Sequence, residues 1–98
     1  MSLPIVFRRK AEDELDDAAE WYNQRRPGLG EVLRRRVQEA LDRIAEMPAM
    51  HEVVREDVRR APVDQFPYSI IYRVERNRVV VIAVFHTSRD PAGWMDRR

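Results

Sequence analysis

Two stretches in the second half of the chain are rich in β-branched and aromatic residues. They run from Tyr68 to Glu75 and from Arg78 to His86. Residues of these types favour strands, because they pack well on a pleated surface. The dipeptide Arg76-Asn77 between them suits a two-residue hairpin turn, since Asn tolerates a positive φ. The pattern therefore predicts an antiparallel hairpin in which Glu75 faces Arg78.

The turn determines which side chains share a face of this hairpin, because successive side chains of a strand point to opposite faces. We expect the more apolar face to pack on helices and the mixed face to carry Arg73 and His86 on one surface. A one-residue change in the turn would invert this assignment. The apolar face is predicted to hold Tyr68, Ile70, Tyr72, Val74, Val79, Val81, Ala83 and Phe85. The mixed face is predicted to hold Ser69, Ile71, Arg73, Glu75, Arg78, Val80, Ile82, Val84 and His86.

The first half of the chain shows helical periodicity. Apolar residues recur at helical spacing in two segments, which predicts two amphipathic helices. The sequence from Arg25 to Gly30 separates them, because Pro27 disfavours helical geometry in the residue before it and the glycines permit a tight reversal. The second helix is expected to run from about Leu29 to Met47, before Pro48. The first apolar stripe is Ala11, Leu15, Ala18, Ala19 and Tyr22, and the second is Leu33, Val37, Ala40, Leu41 and Ile44.

The remaining apolar runs are short. Leu3 to Arg8 is typical of a strand, with Pro4 near its start, where proline is tolerated. Val53-Val54 and Val58 to Val63 predict two further strands. The predicted fold class is therefore α+β. It has an N-terminal strand and an antiparallel two-helix hairpin packed on a small, mainly antiparallel sheet, in one domain covering residues 1–98.

Composition and charge add a cellular context. The 98 residues include no cysteine, which excludes disulfides and thiolate metal sites. The longest apolar run, Val79 to Phe85, is far shorter than the roughly 20 residues that span a bilayer. Basic residues at positions 8–10 follow the first apolar residues, the reverse of a signal peptide. We therefore expect a cytoplasmic protein without membrane contact. Of the 18 basic residues 17 are arginine, which suits phosphate or carboxylate recognition but equally fits a GC-rich genome.

Candidate chemistry is confined to a basic and aromatic group in the second half of the chain. The two histidines, His51 and His86, lie far apart, and no glycine-rich phosphate loop is present, so we expect no metal and no cofactor. Arginine with histidine can bind a phosphodiester and transfer protons to it. Arginine with an aromatic ring can instead grip RNA or an acidic protein. The candidate target-binding residues are Arg59, Arg60, Arg73, His86, Arg89 and Trp94.

Each of these candidates also has a structural interpretation. Arg73 can pair with a nearby carboxylate such as Glu75 or Asp90 on an exposed strand face. His86 at a strand end can be a hydrogen-bonded structural histidine, and Trp94 can fill the core. The sequence leaves both interpretations open.

Four segments of the chain resemble those of a known family. They read EWYNQRRPGLG, ALDRIAEMP, FPYSIIYRVE and VVVIAVFHTSRDPAGW, and they follow one another over nearly the whole chain. Together they are similar to toxins of the RelE/ParE superfamily from bacterial type II toxin–antitoxin systems, and more similar to the ParE branch. The resemblance implies the same fold, a helical hairpin against a small antiparallel sheet.

The two branches of this superfamily differ in their target. RelE-like toxins cut messenger RNA on the ribosome and use a strand arginine in a Y-R-x-V-Y setting, whereas Ser69 stands at that arginine position here. RelE-like toxins also typically use lysines and a C-terminal tyrosine or histidine, whereas Lys10 is the only lysine here and no tyrosine follows Tyr72. The resemblance therefore favours a ParE-like toxin that binds DNA gyrase and blocks replication without hydrolysis. A ribosome-dependent nuclease using Arg73, His86 and Arg89 remains the alternative, as does a non-toxic interaction module.

The resemblance also implies a partner. Such toxins are held inactive by a cognate antitoxin with a flexible C-terminal arm, which would fold on the helical hairpin and the sheet edge. Leu3 to Arg8, if it is an edge strand, offers backbone groups for strand addition. The sequence assigns no antitoxin-binding residue. A homodimer of the free toxin is a further expectation, because an apolar patch left uncovered can self-associate.

Overall fold

The computed structural model describes residues 2–97 as an α+β fold. In chain order its elements are β1 (Ile5–Phe7), α1 (Arg9–Arg25), α2 (Leu29–Glu46), β2 (Glu52–Arg55), β3 (Val58–Pro62), β4 (Tyr68–Glu75), β5 (Arg78–His86) and α3 (Ala92–Met95). The strands form one sheet in the order β1-β5-β4-β3-β2. β1 runs parallel to β5, and the other neighbouring strands are antiparallel. The predicted fold class is confirmed, and β1 lies at an edge of the sheet as expected.

The turn between α1 and α2 explains the glycines in the sequence that joins them. Gly28 has a φ of 91°, a left-handed conformation that side chains rarely adopt. A Cβ atom at Gly30 would collide with the carbonyl oxygen of Ala19 on α1. Asn23 Oδ1 accepts a hydrogen bond from the Gly30 backbone N–H at 2.8 Å, which joins the two helices beside the turn.

No helix in the described part of the chain has the length and apolar character that a membrane crossing requires.

The β4–β5 hairpin follows the predicted register for only half its length. Arg76 and Asn77 both have positive φ values, as a two-residue turn of this type demands. Glu75 faces Arg78, and the pairing continues in step until Tyr72 faces Val81. Ile71 then faces Ala83, so the register shifts by one residue at a bulge containing Ile82.

The bulge overturns the predicted faces for the end of β5. Ala83 and Phe85 were expected to pack on the helices, but Ala83 belongs to the apolar cluster on the other face of the sheet, with Phe85 packed against it. Val84, expected on the mixed face, belongs instead to the cluster under the helices. His86 pairs with Tyr68 and turns with it to the helix side, so Arg73 and His86 do not share a surface. The shift is invisible in the sequence because β5 is apolar at nearly every position.

The backbone groups of the bulge that lie beyond the end of β1 find partners on α1 and on the segment after α3. Val84 N–H donates to the Glu14 carboxylate of α1 at 3.1 Å. Arg97 donates to the carbonyl oxygen of Ile82 at 3.3 Å and to both carboxylate oxygens of Glu14, at 2.9 and 3.0 Å. β1 pairs only with Val79, Val80 and Val81, so these side chains take over where the neighbouring strand ends. The bulge therefore joins α1, β5 and the C-terminal segment.

Both faces of the central strands are covered. Under the helices, α1 and α2 pack on a large apolar cluster that includes Ile70 and Tyr72. On the outer face, a smaller cluster forms around Trp94 of α3. Burial on both faces explains why β5 reads as a continuous apolar run. The inner cluster contains Ala11, Ala18, Ala19, Leu33, Val37, Ala40, Leu41, Ile44, Ala61, Val63, Tyr68, Ile70, Tyr72, Val79, Val81 and Val84. The outer cluster contains Val58, Ile71, Ile82, Ala83 and Trp94.

Tyr72 ties the segment between α2 and β2 to the sheet. Its side chain is fully buried, and its hydroxyl donates to the carbonyl oxygen of Pro48 at 2.6 Å. His51 Nδ1 lies 3.3 Å from the same hydroxyl. Arg59 donates to the carbonyl oxygens of Ala49, at 3.0 Å, and His51, at 2.6 Å. Tyr72 and Arg59 together satisfy the backbone of this segment, which has no regular secondary structure between residues 47 and 51.

Removing the Tyr72 hydroxyl is expected to destabilise the fold. In Tyr72→Phe the carbonyl oxygen of Pro48 loses its buried donor, which costs about 1–2 kcal/mol of the free energy of unfolding. Urea denaturation followed by circular dichroism measures this change. The matched control is Tyr68→Phe, whose hydroxyl has no hydrogen bond to a described residue and whose loss should cost less than about 0.5 kcal/mol. Equal losses in the two variants would contradict the role of the Pro48 contact.

The environment of His51 makes stability depend on pH near neutrality. Burial lowers the pKa of His51, and the nearby guanidinium groups of Arg43 and Arg59 lower it further. Below the ordinary histidine pKa the unfolded chain therefore binds more protons at this position than the folded protein does. We expect the free energy of unfolding to fall as the pH is lowered from about 7.5 to about 5.

Thermal melts at several pH values, with two histidine variants, test this expectation. His51→Asn should lose the decrease, whereas His86→Asn should keep it, and the chain has no other histidine. Glu75 affects stability at lower pH than His51 does, because its pKa is lowered, chiefly by the hydrogen bond from Arg78. Its stabilisation persists until the pH falls below about 4.5. The same pH profile in the wild type and in His51→Asn would exclude His51 as the cause.

Candidate functional site

Arg59 and Arg73 have structural partners. Arg59 is occupied by the two backbone carbonyls of the segment after α2, as described above. Arg73 is only 17% exposed and forms ion pairs with Glu75 at 2.7 Å and Asp57 at 3.3 Å. The structural interpretation of Arg73, pairing with Glu75, thus describes its contacts. Neither guanidinium is free to take a ligand without losing a contact that holds loops in place.

His86 lies on the helix side of the sheet. Its ring packs edge-on against Tyr68, with ring centroids 5.0 Å apart. Nδ1 accepts a hydrogen bond from the Ser88 backbone N–H at 3.2 Å and lies 2.8 Å from the Ser88 hydroxyl. Because Nδ1 accepts, the neutral ring carries its proton on Nε2. The contacts match a hydrogen-bonded histidine that orders the loop after β5.

Three of the six candidates, Arg60, Arg89 and Trp94, come together at one cleft. It lies on the outer face of the sheet, between β2 and β3 on one side and the β5–α3 segment on the other, and has a volume of about 260 Å³. We call it the outer cleft. Its remaining lining residues are Val54, Ser69, Ile71, Phe85, Thr87, Pro91 and Met95.

Trp94 closes the floor of the outer cleft and serves the core at the same time. It is 5% exposed and packs edge-on against Phe85, with ring centroids 6.3 Å apart. Pro91 precedes the short helix α3, which turns Trp94 back toward the sheet. The core interpretation of Trp94 and its place in a candidate site are therefore compatible. The tryptophan contributes an apolar wall, not an open ring face.

The electrostatics of the outer cleft are one-sided. Arg60 donates to Glu52 at 2.8 Å across the β2–β3 pair, and the guanidinium of Arg89 has no hydrogen bond or ion pair with a described residue. No carboxylate and no imidazole is among the lining residues. The hydroxyls of Ser69 and Thr87 add neutral polar groups. The cleft can therefore bind an anionic group beside an apolar one, but its lining offers no pair for proton transfer.

A second groove lies on the opposite side of the sheet, between α1 and the end of β5. Its volume is about 380 Å³. Trp21, 46% exposed, stands at its rim with the guanidinium of Arg25 over its ring at 3.6 Å. Glu14 lies in this groove and is engaged by Arg97, a contact described above. The lining residues are Glu14, Asp17, Ala18, Trp21, Tyr22, Tyr68, Val84, His86 and Arg89.

The sequence pattern missed several residues of these sites. The position of Glu14 near the start of α1 indicates no role in the sheet, yet its carboxylate accepts a hydrogen bond from the Val84 N–H, 70 positions away in sequence. Phe85 was assigned to the helix face and instead walls the outer cleft. Ser69 is 2% exposed, and this polar residue among the apolar residues of β4 was the one sequence signal that pointed to the outer cleft. The described residues contain no group of three or more metal-binding side chains.

The structure is that of a small α+β protein with an arginine-lined cleft, and comparison with known proteins supplies the family. The family described as "ParE toxin of type II toxin-antitoxin system, parDE" matches residues 5–91. The chain therefore belongs to the ParE toxin family, and it is a toxin of the type II class. The resemblance to the RelE/ParE superfamily inferred from the sequence is confirmed.

A solved structure shows the same fold. It is described as "Chromosomal ParDE TA system from P. aeruginosa", and it superimposes with a TM-score of 0.78. The alignment covers 89% of this chain and 98% of that chain, at 16% sequence identity. No curated protein matches the chain.

Replacing Glu14 is expected to weaken the fold by more than an exposed carboxylate would. In Glu14→Ala the partly buried Arg97 guanidinium and the Val84 N–H lose their acceptor, at a cost of about 1–3 kcal/mol in the free energy of unfolding. The control is Asp13→Ala, an exposed residue whose ion pair with Arg9 is 3.9 Å long. Its loss should cost less than about 0.5 kcal/mol. Urea denaturation of the two variants decides, and similar losses would contradict the role of Glu14.

Proposed function

We propose that this toxin acts by binding DNA gyrase and blocking replication, without hydrolysing a substrate, and that a cognate antitoxin neutralises it. The outer cleft, with Arg60, Arg89 and Trp94, is the proposed target-binding site. The observation that best supports this proposal is the separation of Arg73 from His86, two of the residues that the nuclease alternative needs. The family match supports the class of toxin, and the cleft supports binding as its mode of action.

The sheet register is the basis for setting the nuclease alternative second. Arg73 pairs with Val80, while His86 lies six residues further along β5 and on the other face. At a rise of about 3.3 Å per residue, the two positions are roughly 20 Å apart. General acid and base must both reach the same phosphodiester within hydrogen-bond distance. Arg73 is also held by two carboxylates, and it lies apart from His86 and Arg89, which both line the groove beside α1.

The antitoxin is proposed from the family description and from the free surfaces of the fold. β1 is an outermost strand, and its edge away from β5 carries no strand of the described chain. That edge is the proposed place for strand addition by an antitoxin segment. The groove between α1 and β5 lies beside it, with Trp21 exposed at its rim. An extended arm crossing both surfaces would bury this tryptophan.

The cytoplasm is the proposed location, because gyrase and an antitoxin encoded beside its toxin both work there. Self-association of the free toxin is also proposed, on the basis of its exposed apolar side chains. Trp21, Met47, Met50 and Val53 are each about half exposed. Scattered apolar residues are ordinary on a protein surface, but three of these four lie close together in sequence around the start of β2.

Induced expression in a sensitive bacterium tests the proposed target. We expect filamentation and early loss of DNA synthesis, and purified toxin should inhibit supercoiling by gyrase. Arg89→Ala should raise the concentration needed for half-inhibition about tenfold, the size of one lost charge-assisted contact. Arg35→Ala, an exposed arginine on α2 far from the outer cleft, is the control and should inhibit like the wild type.

The outcomes separate the alternatives. Immediate loss of protein synthesis, abolished by His86→Ala and without effect on gyrase, would replace the proposal with ribosome-bound RNA cleavage. Expression without any growth defect, from a protein with a normal melting curve, would indicate an interaction module that is not toxic. Inhibition of gyrase that Arg89→Ala leaves unchanged would keep gyrase as the target but remove the outer cleft as its binding site.

A further inference from the structure

The outer cleft has the size of an anchor site for a side chain. Its volume of about 260 Å³ lies below the range of roughly 300–1,000 Å³ typical of sites that enclose a whole small molecule. It can hold one or two apolar side chains. Ile71 and Phe85 of the sheet and Met95 of α3 wall it, and Trp94 closes it. Interfaces concentrate their binding energy in concave pockets with apolar walls.

The charges at the rim of the cleft determine which residues of a partner can lie beside that side chain. Arg60 and Arg89 both line it, and no carboxylate does. The guanidinium of Arg89 has no hydrogen bond or ion pair with a described residue, and the ion-pair partner of Arg60, Glu52, is 60% exposed. Carboxylates arriving beside an apolar anchor would therefore find the unpaired guanidinium of Arg89 and, in exchange for the exposed Glu52, that of Arg60. Basic residues at the same place would be repelled.

We propose that the outer cleft binds an acidic protein segment through one apolar side chain, flanked by carboxylates that pair with Arg89 and Arg60. The apolar side chain fills the pocket over Trp94. Ser69, in the lining, is 2% exposed, and the Thr87 hydroxyl donates to the carbonyl oxygen of Pro67 at 3.3 Å, so the two arginines supply the polar contacts to the segment. The chemical class of the segment follows from the cleft alone, and only its placement on gyrase rests on the proposed function.

The cleft is less suited to RNA. Recognition of single-stranded RNA uses exposed aromatic faces on which bases stack, together with contacts to several phosphates. Trp94 is 5% exposed and already packs against Phe85, so it offers no face to a base. Two arginines at one rim can also contact only a short stretch of a polyanion. An apolar anchor between carboxylates uses both the apolar walls and the arginines of the lining.

Peptide probes test the proposal directly. A fluorescein-labelled Asp-Glu-Phe-Asp-Glu peptide should bind the full chain and raise fluorescence anisotropy. The same peptide with serine in place of phenylalanine, and a Lys-Arg-Phe-Arg-Lys peptide, should each bind at least about tenfold more weakly. Unlabelled acidic peptide should shift the emission of Trp94 in a Trp21→Phe protein, where Trp94 is the only tryptophan left.

Variants locate the binding. Arg89→Glu should weaken the acidic peptide by about tenfold or more, because it replaces a favourable charge with a repulsive one, and should improve binding of the basic peptide. Arg35→Glu on α2 carries the same charge change and should leave binding unaltered. Melting curves show that each variant is folded. Equal weakening by the two variants would overturn the proposal, since it would indicate only the net charge of the protein.

Other outcomes also overturn the proposal. These are equal binding of the acidic and basic peptides, no binding of either, or preferred binding of a short uridine-rich RNA that Arg89→Glu abolishes. A gyrase supercoiling assay with the same samples keeps the two proposals apart. Inhibition of gyrase without peptide binding would remove the anchor site and leave the proposed target. Peptide binding without gyrase inhibition would keep the anchor site and remove the target, and relief of inhibition by the acidic peptide would support both.

Discussion

The carboxylate of Glu14 holds together parts of the molecule that are distant in sequence. It accepts from Val84 N–H at the β5 bulge and from the Arg97 guanidinium, which also binds the carbonyl oxygen of Ile82. Leaving these partly buried backbone groups without a partner would lower the free energy of unfolding by more than a hydrogen bond normally adds to it. The carboxylate thus allows β5 to continue past the end of β1. Because the bulge shifts the register, Phe85 turns outward beneath Trp94 and His86 turns inward beside Tyr68.

This shift in register has consequences for function. With Phe85 outward, the outer face gains an apolar floor over which α3 can close, and the cleft with Arg60 and Arg89 forms at its margin. With His86 inward, the imidazole lies on the opposite face of the sheet from Arg60 and Arg73, and it lines the groove beside α1 together with Arg89. The same local change therefore forms the wall of the outer cleft and places His86 apart from Arg73. The chemistry left in the cleft is that of recognition, with charge and an apolar cavity side by side.

Charge is separated in space although the net charge is only +1. Helix α1 carries six carboxylates within nine residues, whereas the outer cleft presents arginines and no carboxylate. Most surface ion pairs of this protein contribute little to stability, because water screens them. Their distribution matters more for association, since opposite faces would attract partners of opposite charge. Helix α1 and the outer cleft therefore form two surfaces of opposite charge.

The sequence by itself determined the elements and their order. Helical spacing gave α1 and α2, the β-branched runs gave β2 to β5, and Arg76-Asn77 gave the hairpin turn, because each of these signals is local. The tertiary structure alone decided the bulge, and with it the faces of Phe85 and His86. A strand that is apolar at nearly every position, as β5 is between Val79 and Phe85, pays no hydrophobic penalty for a one-residue slip, so its sequence cannot specify the register. The contacts of the distant Glu14 and Arg97, which depend on the packing of α1 and the C-terminal segment, stabilise the observed register.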